Sequence, residues 1–105
     1  MMTVFAAAID DLFADPDLAR SAMWREGGLG APVSVRIVLR RPDRSGTFAE
    51  TRLHVVTAMI EVRTSELPDL AAGDTFDIGD DVYVVQGEPV RDSERLVWTA
   101  ELLEA

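Results

Sequence analysis

The sequence predicts a mainly β fold: a small antiparallel β-barrel or sandwich with a short N-terminal helical segment. Three observations carry this reading. Apolar residues follow a helical period near the start and switch to a period of two at Val33. Residues 62–85 read in order as strand, exposed connection, Gly73-Asp74 turn, short strand, second tight turn and strand. Short alternating runs then continue to the end of the chain, separated by Gly, Asp and Pro. Runs of that kind are joined as antiparallel sheets, and closing the sheet removes its exposed edges.

Element by element, Val4, Phe5, Ala8, Ile9, Leu12 and Phe13 fall on helical spacing between Thr3 and Phe13. Thr3 serves as the N-cap, and Pro16 stops the helix. Asp15 or Asp17 opens a further turn through Met23, with Leu18, Ala19, Ala22 and Met23 as its apolar positions. Gly27-Gly28-Leu29-Gly30-Ala31-Pro32 reads as a linker between helix and barrel, with Trp24 beside it to cover the barrel's open end. These features divide the chain into a helical segment with a Gly-rich linker (1–31) and a β-barrel domain (32–105).

In that second part Val33, Val35, Ile37 and Leu39 form one face of a strand ending before Pro42. Residues 41–50 read as a polar loop. Arg52 to Arg63 reads as a long strand, bulged or bent near Thr57-Ala58-Met59. Leu67-Pro68-Asp69-Leu70 is exposed or forms one helical turn. Thr75–Ile78 is a short strand. Val82–Pro89 follows, with Tyr83 and Val85 on one face. Asp92-Ser93-Glu94 makes a hairpin turn, and Leu96 to Leu103 closes the sheet with Leu96, Trp98, Ala100 and Leu102 facing one way.

Composition bounds the function. A chain of 105 residues holds one core. Its 48% hydrophobic residues are enough for a folded domain. A net charge of −9 argues against nucleic acid as a specific partner, because phosphate binding draws on Lys and Arg. Without cysteine there is no disulfide, no thiolate zinc site and no thiol catalysis. No apolar run approaches the ~20 residues of a membrane helix, and the start of the chain turns acidic at Asp10-Asp11, unlike a secretory leader. The expectation is a protein that remains in the cytoplasm in which it is made and has no membrane partner.

No catalytic constellation emerges, and the expectation is that the protein is not an enzyme. His54, the single histidine, lies in a strand without the partners a general base needs. Asp77, Asp80 and Asp81 around Gly79 lack the ligand spacing of a calcium loop, and a solvated turn explains them. Gly27-Gly28-Leu29-Gly30 lacks the Lys-Ser/Thr ending and the preceding strand of a phosphate cradle. No metal, cofactor or catalytic residue is therefore expected. One feature invites a partner. Arg36, Arg40, Arg41, Arg44 and Arg52, five of the ten basic residues, cluster in an acidic chain, with Phe48 among them as a candidate aromatic anchor. A solvated strand face and loop explain the arginines, with Phe48 folded back on the barrel rim; a docking surface for an acidic partner, with Phe48 as its anchor, explains them equally.

From Val33 onward the chain resembles the head–tail joining (head–tail attachment, neck) proteins of lambdoid phages and prophages. The resemblance rests on the Val33–Arg40 strand, Glu61-Val62-Arg63-Thr64-Ser65-Glu66-Leu67, then Leu70-x-x-Gly73-Asp74-Thr75-x-x-Ile78-Gly79 and Tyr83-Val84-Val85, closing at Trp98. It covers about two thirds of the chain, with Gly73, Asp74, Gly79 and Tyr83 as fold-signature positions. What it implies is a virion-assembly role. Such a protein is a monomer in isolation and a ring, hexameric by the resemblance, in the particle. It binds the portal and head-completion proteins of a filled head and makes the site where the tail, with its tail-terminator protein, docks. It acts in the host cytoplasm during assembly and ends in the virion neck. The interface candidates are the Arg36–Arg52 group, Phe48 and the N-terminal helix.

Three rivals stand beside this reading. A stopper or tail-terminator ring protein of the neck shares the small barrel. A cellular OB or SH3-like binding module fits the strand pattern but lacks the joint basic and aromatic surface of an oligonucleotide binder. A β-barrel hydrolase with an Asp/Glu pair is compatible with the many carboxylates, although most of these fall at turns.

Overall fold

A computed structural model of the chain describes residues 4–40 and 58–105. Helix α1 (Val4–Ala14) precedes six strands: β1 (Arg20–Arg25), β2 (Val33–Arg40), β3 (Ala58–Arg63), β4 (Thr75–Ile78), β5 (Asp81–Arg91) and β6 (Val97–Glu104). All neighbours are antiparallel, and the order β1-β2-β3-β6-β5-β4 closes through a β1–β4 pairing. The choice between barrel and sandwich thus falls to a closed barrel, in which every strand has two partners and no edge is left open.

The period-two pattern does what it predicts. Val35 and Ile37 of β2, Ile60 and Val62 of β3, Phe76 and Ile78 of β4, Tyr83 and Val85 of β5, and Trp98, Ala100 and Leu102 of β6 all point inward and are buried. Burying side chains of this size stabilises by roughly 1.5–3 kcal/mol each before entropy is counted. β2 and β4 begin where the alternation begins, and α1 occupies the stretch with helical spacing. Thr3, the expected N-cap, and Arg52–Thr57, expected as the start of the strand, lie outside the described residues.

Four expectations are corrected. Residues 20–25 are a strand, not a continuation of helix. Leu18, Ala19, Ala22 and Met23 sit at helical spacing, but Ala22 and Trp24 also alternate with Ser21, Met23 and Arg25. Pairing on both sides, with β2 and with β4, decides for the strand. The Gly-rich segment therefore joins two barrel strands instead of tethering a helix to a barrel. A short 3-10 turn at Glu26–Gly28 starts it, with φ of 61° at Gly27 and 78° at Gly28, values that glycine adopts freely. Leu67 and Leu70 are not exposed. They are 2% and 5% accessible and plug the end of the barrel, where Trp98 Nε1 donates to the Leu67 carbonyl at 2.6 Å. Finally, β3 alternates regularly from Ala58 onward; the register shift lies in β5 between Gln86 and Val90, beside Gly87 with φ 72°.

Candidate functional site

The plugged end of the barrel is organised by Asp74. It follows Gly73, whose φ of 92° turns the chain into β4. That turn sends the carboxylate inward, where it is 2% accessible. Its Oδ1 accepts from the Gly27 amide at 2.8 Å, and its Oδ2 accepts from Trp24 Nε1 and the Ala71 amide, both at 3.0 Å. The Asp74 backbone joins β5 through the Val85 amide at 2.8 Å. One carboxylate thus ties the β1–β2 turn, β1 itself and the loop before β4 together. Three donors satisfy the buried charge, as burial requires. Gly79, with φ 63°, turns β4 into β5, and Tyr83 is buried in the core. Of the four signature positions, Gly73 and Gly79 thus sit at turns, and Asp74 and Tyr83 are buried.

The outer wall carries α1. Its inner face presents Phe13, 1% accessible, against the barrel, and the Arg63 guanidinium lies 5.4 Å from the Phe13 ring centroid. Arg63 also pairs with Asp10 on the helix at 3.0 Å and with Glu66 at 3.2 Å. Glu66 in turn accepts from the Arg36 amide at 3.0 Å. The Arg36 side chain completes the attachment. It donates to the Phe13 carbonyl at 3.1 Å, to the Ala19 carbonyl at 3.1 Å and to Ser21 Oγ at 3.2 Å. Arg36 thus supplies the partner that carbonyls at a helix C-terminus lack, and its charge is favourable there. Arg36 points out from the barrel but is spent as a clamp between helix and barrel, not presented as a free surface cation.

Arg40 is placed differently. Its side chain is 66% exposed at the end of β2, and its one ion pair among the described residues, with Glu61 at 3.4 Å, is of the surface kind worth little. It stands at the mouth of a groove of about 370 Å³ between α1 and the outer faces of β2, β3 and β6. Ile9, Leu12 and Leu18 form one wall, Val38 and Val97 the floor, and Glu61 and Asp92 supply acid. Arg41, Arg44, Phe48 and Arg52, like His54, lie outside the described residues. Among the described residues no set of three or more His, Cys, Asp or Glu side chains is placed to hold a metal, and no helix is long and apolar enough to cross a membrane.

Two features of this surface escaped the sequence. The Asp10–Arg63–Glu66–Arg36 chain joins residues up to 53 positions apart, so no local pattern announces it. The second is the exposure of α1. Val4 and Phe5 are exposed, although they share the helix's apolar spacing with the buried Phe13.

The geometry is that of a rigid closed barrel with an apolar, acid-flanked helix strapped to its side. No curated protein matches the chain. A family model, that of the phage head-tail attachment protein, matches residues 2–102. The match includes α1 and β1, beyond the part from Val33 onward that carries the residue-level resemblance.

Proposed function

As the chain belongs to the phage head–tail attachment family, we propose that it joins the DNA-filled head to the tail: it adds at the portal vertex and completes the surface on which the preassembled tail docks. Membership makes it a structural component of the virion neck. The observation that carries the finer reading is the extent of the match, which spans helix and barrel alike.

The physical character of the chain supports it. A closed barrel without strand edges cannot grow by edge pairing, so single copies stay apart until they meet their sites. A net charge of −9 keeps copies soluble and offers no cationic track to hold DNA passing through the neck. Portal or head-completion proteins are the partners on one side and the tail-terminator protein on the other, with the copies arranged as a ring. Arg40, with Arg41, Arg44, Arg52 and Phe48, is the candidate contact for an acidic neighbour, because rim charges steer encounter and fix register.

The experiment is deletion of the gene from the phage or prophage that carries it, followed by electron microscopy. Filled heads accumulating beside separate, complete tails are the expected result. Normally joined particles overturn the proposal, and capped tubes of abnormal length redirect it to tail termination.

A further inference from the structure

We propose that α1 is a displaceable strap: its seat on the outer wall of β2 and β3 is a docking site for an acidic, aromatic-bearing segment of a neighbouring neck protein, which takes the place of the helix on assembly. The inference rests on the neck reading above for the source of that segment, and adds the residues that receive it and the order of events.

The seat shows what it selects. Ile37 pairs with Val62, so Arg36 and Arg63, one position further along their strands, stand side by side on the outer wall. Like charges opposite each other across two strands are destabilising. Their relief comes from outside the sheet. Glu66 pairs with Arg63 at 3.2 Å, and α1 supplies further partners. Asp10 pairs with Arg63 at 3.0 Å, the Phe13 ring centroid lies 5.4 Å from the same guanidinium, and the Phe13 carbonyl accepts from Arg36 Nε at 3.1 Å. The other charges of this wall are already engaged: Arg40 faces Glu61, and Asp92 accepts from the amides of its own turn. The helix itself therefore displays the chemistry that the paired arginines take: a carboxylate, with an aromatic ring three residues later and a free carbonyl beside it.

The strap, in contrast, is loosely fitted to its seat. Of Val4, Phe5, Ala8, Ile9, Leu12 and Phe13 only Phe13 is buried. Phe13 also stands outside the hydrophobic cluster that fills the barrel. The barrel closes by strand pairing alone and is complete without the helix. A helix of eleven residues is too short to persist by itself, so leaving the wall and unfolding are one step. Elements of this kind lie at the low end of local stability, from which switching segments are drawn.

The arrangement is autoinhibitory. An intramolecular occupant lowers the apparent affinity of any rival by the fraction of time the seat stands open. Free chains therefore keep Arg36 and Arg63 covered and do not take up stray acidic segments. A rival segment held at high local concentration at an assembly site displaces the strap, because tethering makes its binding effectively intramolecular. The rival gains by filling the seat better than α1 does, since α1 commits only one apolar side chain to it.

Two measurements test this. The first needs no particle. A fluorescein-labelled peptide copying residues 4–14 is titrated into the unsubstituted protein and into Phe13→Ala, whose own strap is loosened, at ~0.15 M salt to screen repulsion between acidic chains. The peptide should bind Phe13→Ala about tenfold more tightly, because the seat is open more of the time. A peptide carrying both Asp10→Asn and Phe13→Ala should lose that advantage. Equal binding by the two proteins, or equal binding of the two peptides, overturns the inference. The second measurement reads the particle. Ala6 and Ser65 line one small cavity of about 130 Å³ between α1 and the barrel, and the chain has no cysteine. Free Ala6→Cys/Ser65→Cys protein should therefore form an intrachain crosslink with a bis-maleimide; a free protein that forms none has no docked strap, which overturns the inference. In joined particles assembled from the same variant the intrachain crosslink should fall about tenfold, since the seat is then held by the rival. An undiminished crosslink in joined particles overturns the inference. So does a crosslink between two copies, which shows the helix moved to a second copy instead of yielding to a different protein. The neck reading is judged separately: absence of the protein from joined particles sinks that reading, while the peptide titration decides the seat without it.

Discussion

Asp74 shows how one residue fixes a local fold. Its carboxylate is the shared acceptor for Gly27, Trp24 and Ala71, and replacing it leaves three inward donors without a partner. Hydrogen bonds to a buried charge are worth about 1.5–3 kcal/mol each but do not add, so Asp74→Ala should lower unfolding free energy by about 3 kcal/mol. Denaturant melts of the purified protein check this; a loss below about 1 kcal/mol contradicts it. Asp92 makes a weaker case of the same kind. Slight desolvation works to raise its pKa, but the amides of Val97, Leu96 and Glu94 outweigh it and hold the carboxyl below the ordinary 3.8. A depressed folded-state pKa means the stabilisation is present above the unfolded value and is lost as pH falls through the folded one. The 92–97 turn should therefore loosen below pH 3.8, with the Leu96 and Val97 amide resonances moving first as acid is added. At this scale the sequence shows that Gly73-Asp74 turns the chain. It cannot show that the carboxylate reaches Trp24, fifty positions away, because that distance closes only when the barrel does.

The elements divide by whether local pattern and tertiary pairing agree. In β2, β4, β5 and β6 the apolar period is set by the face each buries, so the period names the element; in α1 the helical spacing names the element although only Phe13 of its apolar positions is buried. β1 is the exception. Its apolar residues satisfy a helical spacing and a strand spacing at once, and the two antiparallel partners that choose between them lie later in the chain. The Leu67–Leu70 loop is similar: nothing local distinguishes a leucine in an exposed turn from one that plugs a barrel. α1 is held by one buried aromatic, Phe13, and by polar links to Arg36 and Arg63, so its docking depends on that ring. Phe13→Ala removes it at a cost of about 3 kcal/mol, within the usual range for a buried phenylalanine. The expected outcome is rapid hydrogen exchange confined to residues 4–14 while the strand amides of β2 and β3 keep their protection. Uniform loss of protection would show that helix and barrel unfold as one unit.

For the whole molecule, charge and shape point the same way. A closed acidic barrel carries α1 on its side, with Val4 and Phe5 of the helix exposed and the exposed Arg40 at the mouth of the groove beside it. Of the arginine cluster that the sequence offers as one surface, Arg36 is spent internally and Arg40 is exposed. Spacing alone could not separate them, because both alternate outward on β2 and differ only in what α1 brings over them. Reversing charge at Arg40, Arg41 and Arg44 together should leave the melting temperature of the isolated protein within a few degrees, since exposed ion pairs contribute little. Joined particles should fall sharply in the same variant; unchanged infectivity contradicts the assignment of this cluster to docking.

The central claim, that the protein completes the head and so creates the tail-docking site, is tested most directly by order of addition. Filled heads and complete tails are isolated from the gene-deleted phage. Purified protein is incubated with one of them, unbound protein is removed, and the other is added before joined particles are counted by electron microscopy. The account predicts joining when the heads are treated first and none when the tails are treated first and washed. Joining only after treatment of the tails, or none in either order, contradicts it.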